Sequence, residues 1–128
     1  MQKTFLIIGI ILAALAVALG AFGAHGLKKI VSPETVASYQ TGVQYQMYHA
    51  LALLVIALLA DRLNNSIINY AGFFFIGGIV LFSGSLYVIA SLKAMNKDIS
   101  PAIGILTPLG GLLFISGWIV FLIAVIKK

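Results

Sequence analysis

The chain has no cysteine, two histidines and only three acids, Glu34, Asp61 and Asp98, among 128 residues. The missing cysteines exclude disulfide frameworks, thiolate metal sites and thiol nucleophiles. Acids so sparse and so far apart leave no carboxylate pair and too few ligands for most metal cages, so no metal and no cofactor is expected. None of them lies inside an apolar run, which weighs against proton-coupled transport, a process that relies on intramembrane Asp, Glu or His. A metalloprotease His pair, a serine-centred elbow and a phosphate loop are also missing. Without a complete catalytic constellation the chain reads as non-enzymatic. With no basic stripe and no aromatic-rich polar surface, nucleic acid is not an expected partner.

What the chain has instead is apolar length. Hydrophobic residues make up 62% and charged residues 9%, against about 45–50% apolar in soluble domains, and mean hydropathy is +1.13. A soluble domain of this size cannot bury so much apolar surface, because small folds cover a smaller share of their chain. The surplus requires lipid. The net charge of +5 follows from Lys and Arg placed outside the apolar runs, at headgroup depth.

The fold expected is all-α: a four-helix transmembrane bundle forming one domain, 1–128, with spans at 5–24, 43–62, 68–92 and 103–126. A run of about 20 apolar residues crosses the hydrocarbon layer as a helix. Ala21-Phe22-Gly23 resembles a signal-peptide cleavage site, but three further spans fit an anchored first helix better. Ser32-Pro33-Glu34 marks a helix start: Ser32 caps, Pro33 takes the first helical position and Glu34 complements the positive helix end. The helix that begins there is polar and aromatic before it becomes purely apolar, so a short interfacial helix is expected to lead into span two. Four crossings place both termini on one side. Lys3, Arg62, Lys127 and Lys128 lie on the terminal side and Lys28, Lys29, Lys93 and Lys97 on the loop side, so the positive-inside rule does not decide orientation.

This threading gathers the polar side chains in one half of the membrane. Span one ends, span two begins, span three ends and span four begins on the same side. The candidate polar pocket there comprises His25, Gln44, Tyr45, Tyr48, His49, Ser83, Ser85, Tyr87 and Thr107. Thr41, Tyr45 and His49 share a helical face, with Gln40, Gln44 and Tyr48 on the adjacent one. Counted from Thr41, His49 sits about 12 Å deep at 1.5 Å per residue. A histidine at that depth is expected to be neutral, one ring nitrogen donating and the other accepting.

Each of these residues has a plainer reading. His49 reads as a ligand-pocket donor, a proton relay or a cofactor ligand, or else as an interhelical hydrogen bond to Ser83, Ser85 or Thr107. His25, beside three glycines, reads as a loop-fixing residue. The tyrosines and glutamines serve equally well as an interfacial belt. Gly20, Ala24, Gly77, Gly84 and Gly110 read as helix-packing positions, because small residues let backbones approach. Pro108 is expected to kink span four, and Trp118 reads as packing with an indole N–H in want of a partner.

Four ordered motifs run along the chain: Gly20-Ala21-Phe22-Gly23-Ala24-His25-Gly26-Leu27, Tyr45-Gln46-Met47-Tyr48-His49-Ala50-Leu51-Ala52-Leu53-Leu54, Phe82-Ser83-Gly84-Ser85-Leu86-Tyr87, and Thr107-Pro108-Leu109-Gly110-Gly111 followed by Gly117-Trp118. In these the chain resembles the family of small bacterial four-span membrane proteins typified by YwdK and YgdD, which has relatives in animals. The resemblance covers nearly the whole chain. It implies a multi-pass fold in the bacterial cytoplasmic (inner) membrane and retention of 20–27, and it supplies no reaction. Taken together, the residues describe a binding or accessory protein whose one-sided pocket holds a lipid headgroup, a small amphiphile or a partner helix. The alternatives are a small oligomeric transporter or channel and a histidine-based redox or cofactor protein. Expected partners are membrane lipids and either further copies of the chain or another membrane protein.

Overall fold

A computed structural model describes residues 2–128. Helix α1 runs Lys3–Ala24 and is followed by a 3-10 turn at Leu27–Lys29. Helix α2 runs Pro33–Leu63 without a break. The third span is composite: α3 (Ile67–Gly78), a π-helical turn (Ile79–Ser83) and α4 (Gly84–Ala94). Helix α5 runs Pro101–Ile126. Four helical segments are long and apolar enough to cross a membrane.

Local chemistry sets the ends. Ser32 Oγ accepts the Thr35 N–H at 3.2 Å with Pro33 next in line, and Ser100 Oγ accepts the Ala102 N–H at 3.3 Å with Pro101 next in line. Both are N-caps followed by a proline whose missing N–H costs nothing in the first turn. Asn64 (φ 47°) and Asn96 (φ 54°) stop α2 and α4 in the left-handed region, where Asn is tolerated better than most side chains. The expected interfacial helix and span two are one and the same helix. Hydropathy registers only the apolar part, whereas the Ser32 cap starts the helix ten residues before position 43.

Helix α1 packs along α2, and α3 packs along α5, with α2 also touching α3, the π turn and α4. The larger core cluster includes Phe5, Leu53, Ile56, Ile68, Phe75 and Phe114, and a smaller one includes Ala16, Leu27, Tyr39, Val43 and Ala90. Burial of such side chains is not itself the driving force inside lipid, so close contact and interhelical hydrogen bonds must hold the helices together. The tightest approach to backbone is at Gly110, where a Cβ would lie 2.3 Å from the Phe82 backbone nitrogen. Among the positions expected to pack helices, Gly20 faces Val43 (3.1 Å from a built Cβ) and Gly77 faces Leu113 (3.2 Å). Ala24 is exposed, and a side chain at Gly84 would meet only the Ile79 carbonyl, 4.0 Å away. Gly110 is thus a close approach as expected, and the others run through Gly9, Gly23, Gly72, Gly78 and Gly117.

One end of the bundle is tied by amides. The Gln2 N–H donates to Ala57 O at 3.0 Å, and Asn65 Nδ2 donates to Ala124 O at 3.0 Å. Residue 2, the α2–α3 turn and the last turns of α5 therefore meet at that end. It carries a polar hollow of about 230 Å³ lined by Gln2, Ala60, Asp61, Asn65, Ile68 and Asn69.

Candidate functional site

Most polar side chains of the opposite half are engaged in holding helices together. Tyr39 Oη donates to Leu19 O at 2.7 Å, Gln40 Nε2 to Gly20 O at 3.1 Å and Gln46 Nε2 to Leu12 O at 2.8 Å. Each reaches from α2 to a backbone carbonyl of α1 whose second lone pair is free to accept. Tyr87 Oη then donates to Gln46 Oε1 at 2.6 Å, joining α4 to the same seam. Ser83 Oγ donates to Gly42 O at 2.6 Å, and Ser85 Oγ meets both Phe82 O and the Thr107 hydroxyl. Among the described residues, no buried side-chain nitrogen or oxygen lacks a partner.

Ser83, Ser85, Tyr87 and Thr107 are therefore fully occupied in interhelical bonds, apart from any pocket. His25 is exposed, its Nδ1 2.9 Å from Ala21 O of its own helix. Gln44 is exposed as well. The nine residues expected to line one pocket separate into interhelical glue, surface positions and a remaining group of Tyr45, Tyr48 and His49.

His49 has partners other than those expected. Its Nδ1 lies 2.7 Å from Tyr45 O, and its Nε2 lies 3.0 Å from Trp118 Nε1. A carbonyl only accepts and an indole N–H only donates, so the two bonds select the neutral tautomer with hydrogen on Nδ1. The ring stacks on Phe114 at 3.6 Å between centroids and 8° between planes, with Phe75 at 5.1 Å. Ser83, Ser85 and Thr107 bond elsewhere, at the α2–π turn and α4–α5 contacts. With both ring nitrogens committed, His49 keeps no lone pair for a metal or haem iron. Among the described residues, no group of three His, Asp or Glu side chains is placed to hold a metal ion.

Helix α5 is drawn toward α3 and the π turn by Gly110 against Phe82, Gly78 against Phe114 and Gly117 against Phe75. Its backbone does not pack along α2. The gap between α2 and α5 is crossed by the His49–Trp118 hydrogen bond, and it leaves a lateral groove of about 380 Å³. Tyr45, Tyr48, His49, Gly111, Phe114, Ile115 and Trp118 line it. Tyr45 stacks on Phe82 at 4.8 Å and 14°, and Tyr48 is 55% exposed. Neither phenol has a hydrogen-bond partner among the described residues. A second hollow of about 260 Å³, lined by Trp118, Phe121, Leu122 and Val125, shares Trp118 with the first. From Gly111 to Val125 the two extend along roughly 21 Å of helix.

Sequence reasoning missed four of the groove residues: Gly111, Phe114, Ile115 and Trp118. Their spacing carries the signal, since positions 111, 114, 115 and 118 recur on one helical face. In a lipid-embedded helix that stripe does not stand out, because the remaining faces are apolar as well.

No solved structure matches the chain. A family model described as "Protein of unknown function (DUF423)" matches residues 19–111. The chain is 47% identical over 127 residues to the UPF0382 membrane protein YwdK of Bacillus subtilis, covering 98% of each. It is 43% identical over 126 residues to a UPF0382 membrane protein of Staphylococcus epidermidis and 41% identical over 126 residues to UPF0382 membrane protein SAB0533 of Staphylococcus aureus, again at 98% of each chain. The matched residues 19–111 contain Tyr45, Tyr48 and His49 on the α2 wall of the groove, and the chain belongs to this DUF423 family of membrane proteins.

Proposed function

We propose that this is a non-enzymatic binding protein of the bacterial cytoplasmic membrane, which takes an amphiphile from the bilayer into the groove between α2 and α5. Both termini face the same side of the membrane in this reading. The observation that carries it is the contrast in hydrogen bonding: interior polar groups are paired, while the Tyr45 and Tyr48 phenols stand unpaired at a concave, aromatic site. Concave, mostly apolar sites with a few placed polar groups are the usual form of small-molecule sites.

The competing readings find less support. A path through a single protomer needs polar lining in both halves, whereas the core around Phe5, Leu53, Ile56 and Phe75 is closed and apolar. A histidine-based redox centre needs free ring nitrogens, and those of His49 are taken.

Gly111 supplies the test. A Cβ there lies 3.9 Å from Phe82 Cδ2, ordinary contact distance, and Gly111 lines the groove, so Gly111→Leu puts its side chain into that space. Native mass spectrometry of protein released from mild detergent reads bound mass and oligomeric state together. The expected result is a discrete adduct on the wild type that Gly111→Leu loses at unchanged thermal stability. Bare particles in both, or an adduct equal in both, overturn the proposal.

A further inference from the structure

The groove also constrains what kind of amphiphile fits, an inference that rests on the binding role proposed above. None of the seven lining side chains carries a formal charge. The basic residues of that half, Lys28, Lys29, Lys93 and Lys97, line neither hollow. A phosphate headgroup drawn into this site would lose its hydration with no counter-charge in return. The headgroup that fits is neutral.

Its hydrogen-bonding character follows from what the walls have left to offer. His49 has both nitrogens engaged, and the Trp118 N–H is given to His49. What remains is the pair of phenol O–H groups of Tyr45 and Tyr48, on rings 5.9 Å apart. Each hydroxyl can donate as well as accept, and a neutral headgroup with two carbonyl acceptors satisfies both donors at once. His49 and Phe114 are stacked on each other and nearly buried, so the ring surface left open belongs to Tyr45, Tyr48 and Trp118, and such surfaces pack best on a flat ring. Below Trp118 the groove continues as a purely apolar hollow along Phe121, Leu122 and Val125, matched to a hydrocarbon tail.

We infer that the groove is a binding site for a lipid-soluble quinone, its ring lying against the exposed rings of Tyr45, Tyr48 and Trp118, its carbonyls accepting from Tyr45 and Tyr48, and its isoprenoid tail lying past Trp118 toward Val125. The role is binding alone. The ring enters and leaves in the same oxidation state.

Trp118 is the single tryptophan of the chain and lines both hollows, so its emission reports occupancy directly. The experiment titrates the full-length protein, in nanodiscs of a zwitterionic phospholipid, with a short-tail menaquinone and follows indole quenching. The expected result is saturable quenching that Gly111→Leu abolishes. The Tyr45→Phe/Tyr48→Phe pair, which keeps the rings and removes the donors, weakens it about tenfold, in line with two membrane hydrogen bonds. Farnesol, an isoprenoid chain without the ring, displaces the quinone only at much higher concentration. If farnesol competes as well as menaquinone, or the Phe pair binds menaquinone as tightly as wild type, the quinone assignment is overturned and amphiphile binding stands. If quenching rises linearly, without saturation, and equally in Gly111→Leu, the quinone assignment is overturned, and a Gly111-sensitive native adduct then decides separately on amphiphile binding. Thermal unfolding of each variant confirms that the comparison is between folded proteins.

Discussion

Helix α2 packs against α1 on one side and faces α5 across a groove on another, and it treats the two differently. Toward α1 it sends Tyr39, Gln40 and Gln46 onto the carbonyls of Leu19, Gly20 and Leu12, and glycines 9, 20 and 23 bring the backbones close. Toward α5 it offers Tyr45, Tyr48 and His49, and only His49 is bonded across the gap. The same residue types, Tyr with a Gln or His close by, close one seam and leave the other open. Residue type alone does not distinguish the two, whereas burial does: Tyr39 and Gln46 are buried, and Tyr45 and Tyr48 are exposed. The useful question is whether each donor already has an acceptor in the protein.

Substitutions can break this contrast in a graded way. The largest effect is expected at Gly110, where a Cβ would meet Phe82 backbone atoms at 2.3 and 2.7 Å. Backbone cannot rotate aside, so Gly110→Ala should destabilise by about 3 kcal/mol, the upper end for overpacking. Its neighbour Gly111→Ala, whose Cβ makes only an ordinary 3.9 Å contact with Phe82 Cδ2, should stay within about 0.5 kcal/mol of wild type. Thermal unfolding of the two variants in the same detergent measures the difference, and equal midpoints would sink the account of why α5 leans toward α3.

Gln46→Leu is next. It removes the bond to Leu12 O and leaves the Tyr87 phenol without its acceptor. Membrane hydrogen bonds average about 0.6 kcal/mol with a maximum near 1.7, so a loss of about 1–2 kcal/mol is expected for the two together. Adding Tyr87→Phe should recover part of it, because the orphaned hydroxyl is then gone. A double-mutant cycle in detergent unfolding checks this, and strict additivity would argue that the pair is not coupled.

The smallest effect belongs to the open side. Tyr45→Phe and Tyr48→Phe remove hydroxyls that have no protein partner, so stability should change by less than about 0.5 kcal/mol. A marked loss in unfolding midpoint would mean that these phenols belong to the closed seam after all.

The four spans and the helix start at Ser32 were legible in the sequence because length, hydropathy and capping chemistry are local properties. The division of labour among the polar residues was not. Gln46 follows Tyr45 by one position, about 100° around the helix, and that step turns it from the groove to α1. In a soluble helix, alternation of polar and apolar positions reveals which face is inward. Here lipid accepts apolar residues on the outer face too, and the periodic signal disappears. Trp118 shows the same limit: its need for an acceptor was visible, but the identity of the acceptor, 69 residues away in sequence, depends on how α5 leans. The reach of Ser83 to Gly42 rather than to His49 is likewise a matter of tertiary placement.

The π turn at Ile79–Ser83 acts as a phase shifter in span three. A π turn holds more residues than an α turn, and each extra residue advances the following side chains by about 100°. Upstream of it, Phe75 and Gly78 meet Trp118 and Phe114. Ser83, at its end, and Tyr87, downstream, are aimed at Gly42 and Gln46 of α2. Regularising the turn by removing one residue would rotate all of α4 out of register while leaving every hydropathy profile intact. In this stretch the number of residues, more than their identity, decides which helix each side of span three addresses.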